Sequence, residues 1–167
     1  MKEKTVTKCF WVWDFEKEER WLNEMAQSGW ALCGVGVCRY RFVACEPGEY
    51  TVRLEMHPFE QAYIDFMQET GAQYVGRMAQ WMYFRKRAVD GAFDLFSDLD
   101  SRIEHLRRIE GALLGIAIAN LAIGISNSIC LPHLGWINLL CASLLTYALG
   151  RIHGKKETLL EKRLLTE

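Results

Sequence analysis

Residues 111–150 read GALLGIAIANLAIGISNSICLPHLGWINLLCASLLTYALG, forty positions without an Asp, Glu, Lys or Arg. As one helix this run would be about 60 Å long, roughly twice the hydrocarbon thickness of a bilayer. Its own punctuation divides it. Gly111–Ile125, extending at most to Leu131, makes a first span; Ser126, Asn127 and Ser128 open a polar interruption; Pro132 and His133 complete a turn; Leu134–Gly150 makes a second span. Arg151 suits one interface by snorkelling and Trp136 suits the opposite one. Arg102, Arg107 and Arg108 precede the run, Arg151, Lys155, Lys156, Lys162 and Arg163 follow it, and the turn carries no cation. The positive-inside rule therefore predicts a cell-membrane protein with two spans and both the N- and C-termini in the cytoplasm. Two buried helices of a soluble oligomer are the competing reading, but such helices keep a polar face that these segments lack.

Upstream, Met1-Lys2-Glu3-Lys4-Thr5 leads into an aromatic segment broken by Asp14, which is no signal peptide, so the first span is also expected to target the chain. The formal net charge of −1 gives no electrostatic case for nucleic acid. Six cysteines (Cys9, Cys33, Cys38, Cys45, Cys130 and Cys141) include no CxxC pair, and in a cytosolic head they are expected as reduced thiols. The histidines His57, His105, His133 and His153 are equally dispersed, so no metal or cofactor is expected.

The segment before the run is internally duplicated. Residues 7–43 and 49–85 align without a gap at an offset of 42. Phe10 then matches Val52, Val12 matches Leu54, Trp21 matches Tyr63, Met25 matches Met67, Gly29 matches Gly71, Gly34 matches Gly76 and Phe42 matches Phe84. Such a repeat dictates architecture before any local detail does. Alternation predicts a first strand in each unit at Val6–Trp13 and Tyr50–Met56. Helical spacing predicts Glu16–Ser28, with Trp21, Leu22 and Met25 on one face, and Phe59–Thr70, with Tyr63, Phe66 and Met67. Asp14 suits an N-cap and Pro58 a first helical turn, while Gly29 and Gly71 fall where a left-handed residue ends a helix. Hairpins are expected at Trp30–Gly36 with Cys38–Cys45 and at Ala72–Arg77 with Ala79–Lys86. The fold class is α+β: a strand-helix-strand-strand unit, twice, in a head spanning 1–88. A linker and amphipathic stalk helix (89–110), a helical hairpin (111–150) and a basic cytoplasmic tail (151–167) follow.

Strand parity nominates a site. If Phe10, Val12, Tyr40, Phe42, Val52, Leu54, Met56 and Phe84 face the helices, then Trp11, Trp13, Arg39, Arg41, Arg53, Glu55, Trp81 and Tyr83 face away from them. Aromatics with arginine are the composition of interface anchors, and a Glu among aromatics suits a cationic ligand. That face either closes against the other repeat, the linker or a second copy in a homodimer, or it binds a partner protein or a small molecule. Glu16, Glu18, Glu19 and Glu24 read as the solvated face of the first helix.

Farther on, Ser97 suits a cap, and Leu99, Ile103, Leu106 and Ile109 recur at helical spacing straight into the first span, predicting one continuous helix. Within the spans, Asn120 and Asn138 are expected to hydrogen-bond between helices, with Gly111, Gly115 and Ala119 as the small-residue packing stripe. The spans hold no ionisable group for a transport pathway. No GxSxG, HExxH or Walker loop is present, and Gly34-Val35-Gly36 lacks the third glycine of a phosphate cradle, so no enzyme is expected.

The duplicated unit resembles, in topology alone, the gyrase-inhibitor-like and SOUL haem-binding-like domains, whose groove between repeats often takes small molecules. More specifically, Asp14-Phe15-Glu16-Lys17-Glu18-Glu19-Arg20-Trp21-Leu22-Asn23-Glu24-Met25 and Gly29-Trp30 resemble the opening motif of a bacterial family known as domain of unknown function 2812. Gly48-Glu49-Tyr50, Arg53-Leu54, Tyr74-Val75-Gly76, Trp81-Met82-Tyr83-Phe84-Arg85-Lys86 and Leu95-Phe96-Ser97-Asp98 are similar to its later motifs. The first hairpin, Gly34-Val35-Gly36-Val37-Cys38, departs from the family's pattern. The resemblance implies a cytoplasmic head on membrane spans and, since members are often encoded beside PadR-type transcriptional repressors, a regulatory partnership. The expected function is thus a membrane-anchored regulatory protein that binds a partner such as a PadR-type repressor. The alternative is a sensor of amphipathic or cationic small molecules.

Overall fold

The computed structural model describes residues 2–96, 99–130 and 135–165. The chain divides into two compact units, Met1–Leu95 and Phe96–Glu167.

The first unit runs β1 (Glu3–Thr7), α1 (Phe15–Gln27), β2 (Trp30–Gly36), β3 (Arg39–Ala44), β4 (Tyr50–Met56), α2 (Gln61–Glu69), β5 (Gln73–Met78) and β6 (Trp81–Arg87). These strands form two antiparallel three-stranded sheets, sheet 1 in the order β1-β3-β2 and sheet 2 in the order β4-β6-β5. The strand-helix-strand-strand unit is therefore present twice. Its repetition reaches into irregular geometry: a bulge lies between Leu32 and Gly34 in β2 and between Tyr74 and Gly76 in β5, the same place under the offset of 42. Gly29 (φ 81°) and Gly71 (φ 86°) end α1 and α2 in the left-handed region, as expected of C-terminal glycines. The helix starts differ from expectation. Asp14 makes no side-chain capping bond and pairs instead with Lys17 at 2.8 Å, and Pro58 lies outside α2.

The largest departure is the first strand. Subtracting 42 from β4 gives residues 8–14, yet β1 occupies Glu3–Thr7 and Val12–Asp14 form a 3-10 turn. The alternation in Val6–Trp13 thus does not mark a strand. Phe10 instead folds onto Trp21 and Tyr40, with centroids 5.5 and 6.4 Å away, and Cys9 is disulfide-bonded to Cys38 in the β2–β3 turn. The expectation of reduced, scattered thiols is corrected for this pair; Cys33, Cys45, Cys130 and Cys141 are free.

Helix α1 buries Phe15, Glu18, Leu22 and Ala26, one stripe at helical spacing. On one side Trp21 packs edge-on against Tyr40 and Phe42 of β3. On another side α1 meets sheet 2, where Phe15 lies 5.3 Å from Trp81. Sheet 2 is therefore covered twice. Its front holds Met82 and Phe84 against Ile64 and Met67 of α2, and its back holds Trp81 and Tyr83 toward α1. Phe93 is buried with the front cluster and Leu95 packs on it, so the first unit extends past residue 88.

β4 is an edge strand, and α1 covers that edge with side chains. The Asn23 carboxamide donates to Val52 O and accepts from Val52 N–H, both at 2.9 Å, as a neighbouring strand would. Two residues on, Glu19 Oε2 accepts from Leu54 N–H at 3.2 Å. Left bare, such groups either lose hydrogen bonds or recruit another chain.

In the second unit α3 (Leu99–Cys130) and α4 (Gly135–Leu164) pack as a hairpin, and both are long and apolar enough to cross a membrane. Stalk and first apolar segment are one helix, as expected. The Ser97 cap and the Pro132–His133 turn lie outside the described residues. Asn138 donates to Asn120 Oδ1 at 3.3 Å, and Asn127 donates to Asn138 Oδ1 at 3.4 Å, extending the expected pair to a ladder of three. The packing stripe is not the expected one. Gly111 and Gly115 face open space and Ala119 is exposed, whereas Leu113, Ala117 and Gly124 are buried. A side chain at Gly124 would meet Leu139, and one at Gly135 would run into Ser128. Below the apolar windows, Glu110 binds Lys156 (2.5 Å) and His153 (2.6 Å).

Replacing Asn23 by Ala strands a donor and an acceptor of Val52, which costs about 1–3 kcal/mol. Thermal unfolding of the full chain in detergent, followed by near-UV circular dichroism, is expected to show that loss. Asn23→Asp, which keeps the acceptor but sets a carboxylate oxygen against Val52 O, is expected to lose at least as much.

Candidate functional site

The proposed single face of Trp11, Trp13, Arg39, Arg41, Arg53, Glu55, Trp81 and Tyr83 resolves into four places. Directly opposed residues of an antiparallel pair share a face. In sheet 2, Arg53 opposes Phe84 and Glu55 opposes Met82, while Leu54 opposes Tyr83 and Met56 opposes Trp81. Arg53 and Glu55 therefore share the front with α2, and Trp81 and Tyr83 share the back with Leu54 and Met56. Parity counted on each strand alone could not reveal this, because the phase between strands comes from their register.

Glu55 is buried and accepts a hydrogen bond from Tyr63 Oη of α2 at 2.6 Å. Arg53 pairs with Glu19 at 3.3 Å. The Arg53–Glu19 pair joins the two repeats, and the Glu55–Tyr63 bond lies within the second. Sequence reasoning placed Glu18 and Glu19 on a solvated face, and both are engaged instead. Glu18 is buried, and its Oε1 accepts from Tyr40 Oη at 2.7 Å and Tyr83 Oη at 2.6 Å. Burial first, and then the Glu18 carboxyl group they bond, push both phenols well above the ordinary tyrosine value, which keeps them protonated as donors. One carboxyl group thus ties β3 of the first repeat to β6 of the second. Only half of this is legible in sequence: Tyr40 reads as facing the helices, where a buried phenol requires an acceptor, whereas Tyr83 reads as facing away.

Trp11 and Trp13 stack face to face, 5.0 Å between centroids and 6° apart in plane. Trp11 is 62% exposed. Their loop is held by the Cys9–Cys38 disulfide and by Lys8 N–H donating to Cys38 O at 3.0 Å. Cys38 immediately precedes Arg39, so the stacked pair is fastened at the end of sheet 1 where Arg39 begins β3. Arg39 and Arg41 are exposed on the back of sheet 1, opposite Thr7 and Thr5.

A family described as Protein of unknown function (DUF2812) matches residues 14–118. The chain belongs to this family. No curated protein and no solved structure matches it. The expected likeness to gyrase-inhibitor-like and SOUL haem-binding-like folds therefore has no matching solved structure behind it. Within this DUF2812 member the family match takes in α1, sheet 2 and the start of α3. The residues that lock the repeats together, Glu18, Glu19, Asn23 and Tyr83, all lie inside it. Among the described residues no cluster of His, Cys, Asp or Glu could hold a metal ion.

Burial raises the Glu19 pKa above its ordinary value, against the lowering effects of Arg53 and of the Leu54 N–H it accepts. The folded state therefore binds the Glu19 proton more tightly than the unfolded chain does. This contribution favours folding at low pH and is lost as pH rises through the folded-state value. Relative to Glu19→Gln, the stability of the native protein is expected to fall as pH climbs from about 4 through the weakly acidic range and then to level. Denaturant unfolding of both proteins across that range checks the sign.

Proposed function

We propose that this protein is a membrane-anchored binding protein, not an enzyme, whose head docks a partner protein through the Trp11–Trp13 stack. The carrying observation is that stack: an aromatic pair more than half exposed at Trp11, on a loop that the Lys8 N–H holds to Cys38 O at 3.0 Å. Exposed, preorganised tryptophans beside arginine are the composition of binding hot spots. The membrane reading is supported by burial: in their most apolar windows only 17% of α3 and 22% of α4 is covered by protein. A core helix would be mostly covered. Flanking cations favour termini, and hence a head, in the cytoplasm. In that compartment the Cys9–Cys38 pair would be mostly reduced, so permanent oxidation of this pair in intact cells would contradict the orientation.

A PadR-type transcriptional repressor is the partner class to test first. Trp11→Ala is expected to weaken capture of such a repressor by the full-length protein about tenfold or more, roughly 1.4 kcal/mol, without disturbing the fold. Capture indifferent to Trp11 would retire the assignment.

A second reading rests on Glu18. A buried carboxyl group between two phenols, with Phe15 and Trp81 in the same interior, has the chemistry to receive a lipophilic cation. Saturable quenching of tryptophan fluorescence by quaternary ammonium compounds, abolished in a folded Glu18→Gln variant, is the expected signature. Quenching that ignores this substitution would count against it.

A further inference from the structure

The two repeats are equivalent in fold but not in cover. Under the offset of 42, Arg39 corresponds to Trp81 and Arg41 to Tyr83. In sheet 2 this back face is closed by α1, an acidic helix carrying Glu16, Glu18, Glu19 and Glu24. In sheet 1 the corresponding face carries the two arginines, and both are exposed. Among the described residues neither guanidinium has a hydrogen bond or an ion pair.

The local floor is built to the same plan in both sheets. Gly34 opposes Arg41 as Gly76 opposes Tyr83, each just after its bulge. A Cβ on Gly34 would sit 2.6–2.7 Å from the Arg41 guanidinium nitrogens, so the guanidinium lies flat on bare backbone. Thr5, Val35, Gly36, Arg39 and Arg41 line a concavity of about 450 Å3 there. The aromatic version of this face accepts an acidic helix within the molecule. The arginine version adds two positive charges that are unpaired among the described residues, and neither helix of this unit covers it.

We propose that the back of sheet 1 docks an acidic amphipathic helix of the partner protein, completing in trans the cover that α1 provides for sheet 2. This rests on the partner-binding reading and names the chemistry the partner must present. Charge complementarity selects an acidic helix, and the α1–sheet 2 contact supplies the geometric precedent.

The test uses the full-length protein in neutral detergent and a fluorescein-labelled peptide of the α1 sequence, Phe15–Ser28, constrained as a helix. A second peptide has its four glutamates changed to lysine. The acidic peptide is expected to bind saturably and to lose at least tenfold in affinity against the Arg39→Glu, Arg41→Glu double variant. The lysine peptide is expected to ignore the native protein and bind that variant. Near-UV circular dichroism verifies folding of the variant, whose changes lie on exposed positions. No binding, or equal binding to native and variant proteins, would overturn the proposal. So would arginine-dependent binding to phosphatidylglycerol vesicles in place of the peptide, which would make the face a lipid contact. Peptide failure with Trp11-dependent repressor capture intact removes the helix site alone. Loss of capture with peptide binding intact removes the repressor reading alone.

Discussion

The Asn23 carboxamide on the edge of β4 is the interaction on which the rest of the head depends. A primary amide sets one of its two N–H donors beside its carbonyl acceptor, so it can meet a strand residue's N–H and C=O as a residue of a missing strand would. Asn23 does this against Val52, its second N–H returns to Glu19 O at 2.8 Å, and Glu19 serves Leu54 and Arg53. The helix of the first repeat thereby becomes the boundary of the second repeat's sheet. Once α1 is fixed there, Glu18 falls between Tyr40 and Tyr83, and the back of sheet 2 becomes interior.

That arrangement breaks the symmetry of the duplication in a useful way. One helix cannot cover two equivalent faces, so sheet 2 is enclosed and sheet 1 keeps an open back. The residue types follow the cover: Trp81 and Tyr83 where burial rewards apolar area, Arg39 and Arg41 where water remains. The opening strand is displaced as well, and the segment it vacates becomes the disulfide-tied loop that presents Trp11.

Much of the architecture was legible in sequence because it is local. The repeat, the helix-ending glycines, the hairpins and the uncharged run all rest on spacing or on conformational preference. What was not legible depends on partners distant along the chain. The alternation in Val6–Trp13 is compatible with a strand until Cys9 finds Cys38 and Phe10 finds Tyr40. Trp81 and Tyr83 read as outward because nothing in the second repeat reveals that a helix of the first lies on them. Glu18 and Glu19 read as solvated for the same reason. In the hairpin, Asn120 and Asn138 announced their pairing by polarity, whereas Gly111 and Gly115 matched a small-residue spacing that the true contact, through Ala117 and Gly124, does not use.

The most direct measurement of α1 as the element that joins the repeats is amide hydrogen exchange at Val52 and Leu54 in the full-length protein. Both amides point away from the β6 ladder, so their protection reports on Asn23 and Glu19 alone. The account predicts exchange as slow as that of the amides β4 donates to β6. Fast exchange at both positions in an otherwise protected sheet 2 would contradict it.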